Sequence, residues 1–274
     1  MIELQESPLG KASHYDGGYD PGLLFPIRRE TNRAAIGITQ TLPFVGCDWW
    51  TAWELSWLDP RGKPHVAIAR IRIDAASPHI IESKSLKLYL NGFAQTPIAD
   101  ESALVALLTR DLGAACGAAV RVDIVQPLAF AGEHIIAPAG ECIDDLDIAI
   151  DHYGPPRADF LHTHPEVAEE VLHSQLLKSN CPVTGQPDWA SVSIHYRGPR
   201  IDREGLLRYL ISFRNHSEFH EHCVERIHVD LMQHCQPDYL DVYARYTRRG
   251  GIDINPWRSS RRTDPHETLR EARQ

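Results

Sequence analysis

The 274 residues include 28 Lys and Arg against 37 Asp and Glu, a net charge of −9, with 43% hydrophobic and 24% charged residues. That is the composition of a folded protein with room for one large domain or two ordinary ones, and its acidic balance argues against nucleic acid as the main partner. No stretch approaches the roughly eighteen apolar residues of a membrane span, and MIELQESPLGKASHYDGGYD has no basic segment leading into an apolar run, so the chain reads as cytoplasmic with no membrane association.

Residues 1 to 45 are rich in Gly, Pro and Asp without sustained periodicity, which predicts an extended lead-in packed over other elements. Strand-like runs from Trp49 to Trp57 and from Val66 to Ile73 flank Asp59-Pro60-Arg61-Gly62, the pattern of a hairpin. Leu86, Tyr89, Leu90 and Phe93 then recur at helical spacing, with Lys84, Lys87 and Asn91 opposite and Gly92 as a stop. Asp100 reads as the N-cap of a second helix carrying Leu104, Leu107, Leu108 and Leu112, followed by a strand from Val120 to Val125. Residues 130 to 160 are mixed, with a strand expected near Ile148, and Pro155-Pro156 marks the expected boundary between modules 46–155 and 156–274.

The second half predicts a similar plan. SVSIHYRG after Asp188-Trp189 is expected to turn at Gly198-Pro199 and return through LLRYLISF as a strand, followed by a helix from Phe219 to Cys235 with Val224, Ile227, Leu231 and Cys235 inward. Asp48-Trp49 lies 34 residues before Glu82, and Asp188-Trp189 lies 33 before Glu221. The expectation is therefore two divergent copies of one α+β module, each offering a glutamate where a helix follows a hairpin.

The chemistry concentrates in SNCPVTGQPDW. Asn180, Pro182, Gly185 and Pro187 make this a turn, which presents the Cys181 thiol with the Asp188 carboxyl close behind. A thiolate attacks electrophilic carbon and a nearby acid moves the proton, although a free cysteine is also a common small core residue. The other cysteines, Cys47, Cys116, Cys142, Cys223 and Cys235, form no CxxC, and all six are expected as reduced thiols. Glu82, His220 and Glu221 fall at helix starts, where they either read a planar heterocycle or simply complement the helix dipole. HEHC, with His234 and Cys235, raises a metal site that its spacing does not support, and no metal is expected. Arg245, Arg248, Arg249, Arg258, Arg261 and Arg262 accompany a single acid, Asp253, which suits a small polyanion, with a solvated tail from Arg258 onward as the equal alternative. There is no GxGxxG after a strand, no GxxxxGK[ST] and no GxSxG.

Four segments together, ESKSLKLYL (82–90), NCPVTGQPDWA (180–190), HEHC (220–223) and RRGGIDINPWRS (248–259), resemble the QueF family of NADPH-dependent nitrile reductases acting on 7-cyano-7-deazaguanine. The long, two-module branch is the closer likeness, because ESKSLKLYL and the cysteine fall in different halves. The resemblance implies two tandem tunnelling-fold (T-fold) modules, antiparallel sheets backed by helices, in a homodimer. It implies Cys181 as the nucleophile that forms a thioimide and Asp188 as the proton donor, with two NADPH yielding 7-aminomethyl-7-deazaguanine, a queuosine precursor. Ile81, Glu82, Ser83, His220 and Glu221 would hold the deazapurine, and Ser83, Lys84, Arg249 and Gly250 would contact NADPH. Competing expectations are a thiol-dependent nitrile or amide hydrolase, a zinc cyclohydrolase-like enzyme of the same fold, and a non-catalytic nucleotide-binding module.

Overall fold

A computed structural model describes residues 17–261 and 270–274. The strands in chain order are β1 (Pro26–Arg28), β2 (Val45–Leu58), β3 (Pro64–Asp74), β4 (His79–Ile81), β5 (Val120–Val125), β6 (Ile135–Ile136), β7 (Glu141–Cys142), β8 (Thr163–Asn180), β9 (Pro187–Ile201), β10 (Tyr239–Tyr246), β11 (Ile252–Ser259) and β12 (Arg270–Glu271). The α-helices are α1 (Glu30–Ala35), α2 (Ser83–Asn91), α3 (Glu101–Cys116), α4 (Arg203–Ile211) and α5 (His220–Cys235). The fold is mixed α+β with mostly antiparallel pairing. The chain divides into two compact units, Met1–Thr31 with Asp48–His134 and Arg248–Asp253, and Asn32–Cys47 with Ile135–Thr247 and Ile254–Gln274.

In the first unit β5 pairs antiparallel with β3 from Ile68 opposite Val125 to Ile73 opposite Val120, and β3 pairs with β2. Ala67, Ala69, Ile71 and Ile73 alternate inward on β3 and are buried, as period-two patterning dictates. Leu86, Tyr89 and Leu90 of α2 and Leu104, Leu108 and Leu112 of α3 supply the helical side of the core. Asp100 caps α3 through its side chain, which accepts from Ala103 N at 2.8 Å. The hairpin, both helices, that cap and β5 follow the expectation from periodicity. Residues 17 to 45 are more structured than their composition suggests: β1 pairs with β4 in this unit, and Arg33 of α1, which is buried, belongs to the second. Residues 1–16 lie outside the described part of the chain.

In the second unit the strand order is β11-β10-β9-β8-β7. The hairpin here is β8 with β9, joined through Cys181–Gln186, with Asn180 opposite Pro187 and Thr163 opposite Ile201. Two expectations are corrected. LLRYLISF is helix α4 rather than a returning strand, because Leu206, Leu207, Tyr209, Leu210 and Phe213 recur at helical spacing and all five are buried. Asp188-Trp189 accordingly opens the second strand of the hairpin, and Glu221 stands in the second helix after it, α5. The segment around Ile148 carries no strand; the local strands are the two-residue β6 and β7. One cluster fills this core, combining Val192, Ile194 and Tyr196 of β9, Leu240, Val242 and Ala244 of β10, α4, and Val224, Ile227 and Leu231 of α5.

The expectation of a solvated tail from Arg258 is also overturned. Arg258 is fully buried, with Nη2 2.8 Å from Glu225 Oε1 and Nη1 donating to the carbonyls of Cys47 and Trp257. Arg33 joins the same carboxylate at 2.7 Å. Two guanidiniums sharing one buried glutamate form a satisfied network whose members cannot be removed singly without stranding a charge. Arg261 pairs with Asp241 at 3.2 Å and covers the Tyr239 ring, while Arg262 lies outside the described residues.

Candidate active site

The second unit carries Cys181 in the β8–β9 turn, Asp188 on β9 and His220 at the start of α5. Cys181 begins the hairpin turn, its N–H donating to Gln186 O at 2.8 Å and its carbonyl accepting from Gly185 N at 3.0 Å. The residue before it is clamped: Asn180 N donates to His216 O at 2.8 Å and Glu218 N donates to Asn180 O at 3.1 Å. Those bonds tie the end of β8 to the segment that leads directly into α5. Glu218 is itself held by Arg226 and His216, each at 3.0 Å. Burial raises its pKa, but these two partners outweigh burial and bring it down to about 2, so this clamp stays ionised.

Asp188 lies opposite Ser179 in the β8–β9 register, and Ala190, two residues on and on the same face, lies opposite Tyr246 of β10. That face carries α5. Asp188 is 3% exposed, and His220 in the first helical turn brings Nε2 to 3.2 Å from its Oδ2. The His220 ring lies flat on the Tyr246 ring, with centroids 3.8 Å apart and planes within 6°. Glu221, beside it in sequence, is buried. Phe219 at the N-cap of α5 makes no side-chain capping hydrogen bond.

The thiols differ in environment. Cys223 is completely buried and desolvation pushes its pKa well up, as burial pushes Cys235 up to about 12. Both therefore remain neutral thiols. Cys181 is buried too, at 6% exposed, but it lies in the β8–β9 turn of the unit that holds the Asp188–His220 pair.

The first unit holds the other group of expected residues. Ile81 ends β4 and is buried, and Glu82 follows as the N-cap of α2, its carboxylate accepting from Lys84 N at 2.7 Å and Ser85 N at 2.9 Å. Ser83 and Lys84 form the first turn of that helix. Arg249 and Gly250 form a turn closed by Arg249 N donating to Ile252 O at 2.9 Å, and the aliphatic stem of Lys87 lies against Gly250. Arg248 covers the Trp53 ring, whose indole N–H donates to Asp253. Two lysines of α2 and Arg249 thus concentrate positive charge in one unit. Among the described residues no group of three or more His, Cys, Asp and Glu is arranged to hold a metal ion; within HEHC, His220 faces Asp188 and His222 Nδ1 meets Asn32.

Residues 15–124 match the family described as nitrile reductase, 7-cyano-7-deazaguanine-reductase N-term, and residues 187–265 match QueF-like protein. Relatives named NADPH-dependent 7-cyano-7-deazaguanine reductase include that of Chromobacterium violaceum, 59% identical over 98% of this chain and 97% of its own. Those of Bordetella avium and Stenotrophomonas maltophilia are 56% and 57% identical over the full length of both chains. The chain belongs to the QueF family.

Within this QueF chain, Ile81 to Lys84 fall inside the first matched span, and Asp188, His220, Glu221, Arg249 and Gly250 inside the second. Cys181 lies between the two spans, in a stretch covered by the full-length relatives. The structure brings Asp188 and His220 together in the second unit and gathers Glu82, Ser83, Lys84, Arg249 and Gly250 in the first. Sequence reasoning missed Tyr246. The signal was present in YLDVYARY, where Leu240, Val242, Ala244 and Tyr246 alternate inward. Among the described residues no helix is long and apolar enough to cross a membrane.

Proposed function

We propose that this chain is an NADPH-dependent 7-cyano-7-deazaguanine reductase that converts the nitrile to the primary amine, a step towards queuosine. The observation that carries the reading is a QueF chain, similar over its whole length to relatives of that name, with Cys181 in the β8–β9 turn and an Asp188–His220 pair in the same unit.

In this reading the Cys181 sulfur bonds to the nitrile carbon, one π pair moves onto nitrogen, and Asp188 delivers the proton that makes a covalent thioimide. NADPH supplies the two hydrides when bound. After the first hydride reaches the thioimide carbon, the C–S bond breaks, the thiol is regenerated and an imine remains; hydride and proton addition then give the amine. The balance is one nitrile, two NADPH and two protons to one amine and two NADP+. His220, in contact with Asp188, holds the acid in place. Glu82, flanked by Ile81 and Ser83 in the first unit, and Glu221, beside His220 in the second, are each suited to accept hydrogen bonds from a guanine-like edge. Glu82 is suited to this despite capping α2, because a carboxylate offers about four acceptor sites and the cap uses two. Ser83, Lys84, Arg249 and Gly250 fit the cofactor, since cations and backbone N–H groups are what phosphates need.

The same reading takes the chain as two tandem T-fold modules forming a cytoplasmic homodimer, which light scattering of the purified protein tests. Mixing the protein with 7-cyano-7-deazaguanine in the absence of NADPH should add the mass of the nitrile at Cys181. Adding NADPH should then release the amine with two NADPH oxidised per nitrile. Acid and ammonia without NADPH oxidation would establish a hydrolase instead.

A further inference from the structure

The Tyr246 ring forms a floor under His220, and four observations fix that floor. The two rings are nearly parallel at 3.8 Å, close enough for full stacking contact rather than an edge approach. Tyr246 is 1% exposed, so its ring has no freedom to swing into solvent. Its backbone is held from both flanks: β9 pairs with it at Ala190 on one side, while on the other Tyr246 N donates to Asn255 Oδ1 at 3.2 Å and Tyr246 O accepts from Gln274 Nε2 at 3.3 Å. Gln274 also donates to Asn255 Oδ1 at 2.7 Å, which locks the pair that grips the tyrosine. Finally, the phenol lies beside the Ser179 hydroxyl and the Cys223 thiol, and burial raises its pKa well above the ordinary value, so the ring stays neutral throughout the working pH range.

His220 needs such a floor. Its Nδ1 is buried without a hydrogen-bond partner among the described residues, so only Nε2, at Asp188, restrains the imidazole through hydrogen bonding. One hydrogen bond fixes a point and leaves the ring plane free to rotate about it. A flat aromatic face beneath the imidazole removes that rotation.

We infer that Tyr246 is a positioning residue of the reductase site, acting through its ring face to hold the His220 imidazole in the plane that faces Asp188. The inference rests on the reductase reading, and it predicts a division between face and hydroxyl. Tyr246→Phe keeps the face and removes the phenol oxygen; Tyr246→Leu keeps apolar volume and removes the face. Tyr246→Phe should retain kcat within about twofold, whereas Tyr246→Leu should lower kcat roughly tenfold with KM little changed, the scale expected when an orienting contact is lost away from the substrate.

The test measures kcat and KM for 7-cyano-7-deazaguanine and NADPH in wild type and both variants, with thermal unfolding of each and the NMR shift of the His220 ring protons in the apoprotein. Stacking moves those protons upfield in wild type and Tyr246→Phe, and Tyr246→Leu should return them towards ordinary values. Equal losses of kcat in both variants would overturn the inference, as would an unchanged kcat in a Tyr246→Leu protein that is merely less heat-stable. Failure of the reductase reading is seen separately, as a wild type that does not oxidise NADPH with the nitrile while the upfield shift persists.

Discussion

Each unit runs hairpin, nine-residue helix, sixteen-residue helix and strand, as β2-β3-α2-α3-β5 in the first and β8-β9-α4-α5-β10 in the second. Their hairpin turns also share a construction. In the first, Asp59 N donates to Lys63 O at 2.9 Å and Gly62 occupies the left-handed region; in the second, Cys181 N donates to Gln186 O at 2.8 Å and Gly185 does the same. Asp59 and Cys181 therefore hold equivalent places, but Asp59 spends its carboxylate on Arg61 N and Lys63 N, closing its own turn. The second helices diverge in the same direction. Asp100 caps α3, whereas Phe219 leaves the N-terminus of α5 open and puts His220 and Glu221 in its first turn. In the second unit, the side chains that close the turn and cap the helix in the first unit are replaced at the two places where the proposed function puts its chemistry.

The sharpest way to break that comparison is to exchange the consequences at the two turns. Cys181→Ala should reduce NADPH-dependent turnover by roughly a thousandfold or more, since the nucleophile has no substitute, while Asp59→Ala should leave kcat and KM within about twofold of wild type. Steady-state rates decide it, with thermal midpoints as a check that Cys181→Ala stays folded. Full turnover by Cys181→Ala would remove the thiol from the mechanism.

Acid should distinguish the units next. His228 of α5 is buried against Phe44, and burial, followed by the charge of Arg258, pulls its pKa from 6.5 to about 4, partly opposed by Glu225 and the Leu240 backbone. The unfolded chain takes up a proton at this histidine below pH ~6.5 and the folded chain does not until about 4. The neutral imidazole's contribution is therefore complete above pH ~6.5 and is lost as pH falls towards 4, by about 3 kcal/mol. In the first unit, burial raises the pKa of Asp111, but hydrogen bonds from Arg110, Tyr19 and Tyr89 outweigh it, so its protonation begins lower. Hydrogen exchange at pH 7 and 4.5 should show α5 and β10 losing protection before α3 does, and His228→Phe should abolish the difference. Equal loss of protection in both units of the wild type would count against this account.

What was legible in the sequence follows the range of the forces involved. The first unit was readable because its signals are local: alternation in β3, the helical spacing of α2, and the Asp100 cap lie within a few residues of what they specify. The second hairpin was misplaced because Gly198-Pro199 looks like a turn, yet it lies inside β9, with Pro199 opposite Val167 at the edge of a register shift in β8. Strand β8 reads poorly because THPEVAEEVLHSQ is charged and half exposed, its strand character fixed by pairing with β9 over most of its length. LLRYLISF was ambiguous between helix and strand, as short apolar runs are, and only packing of five residues on one face resolved it. Cys181 and Asp188 were singled out as candidates from the composition of one loop. The His220 contact with Asp188 and the Tyr246 floor depend on non-local pairing, so no local pattern could supply them.

The smallest expected difference concerns the two caps that open the nine-residue helices. Asp202 caps α4 by accepting from Gly205 N at 2.7 Å, and Glu82 caps α2 by accepting from Lys84 N and Ser85 N. As caps the two are alike, and Asp202→Ala and Glu82→Ala should each cost about 1 kcal/mol, read as similar drops in urea midpoint. As site residues they differ, because the proposed substrate contact belongs to Glu82 alone. Glu82→Ala should therefore raise the KM for the nitrile roughly tenfold or more, while Asp202→Ala leaves it unchanged. Should both variants lose the same stability and keep the same KM, Glu82 is a cap and nothing more, and recognition of the guanine-like edge would pass to Glu221, whose helix begins without a capping side chain.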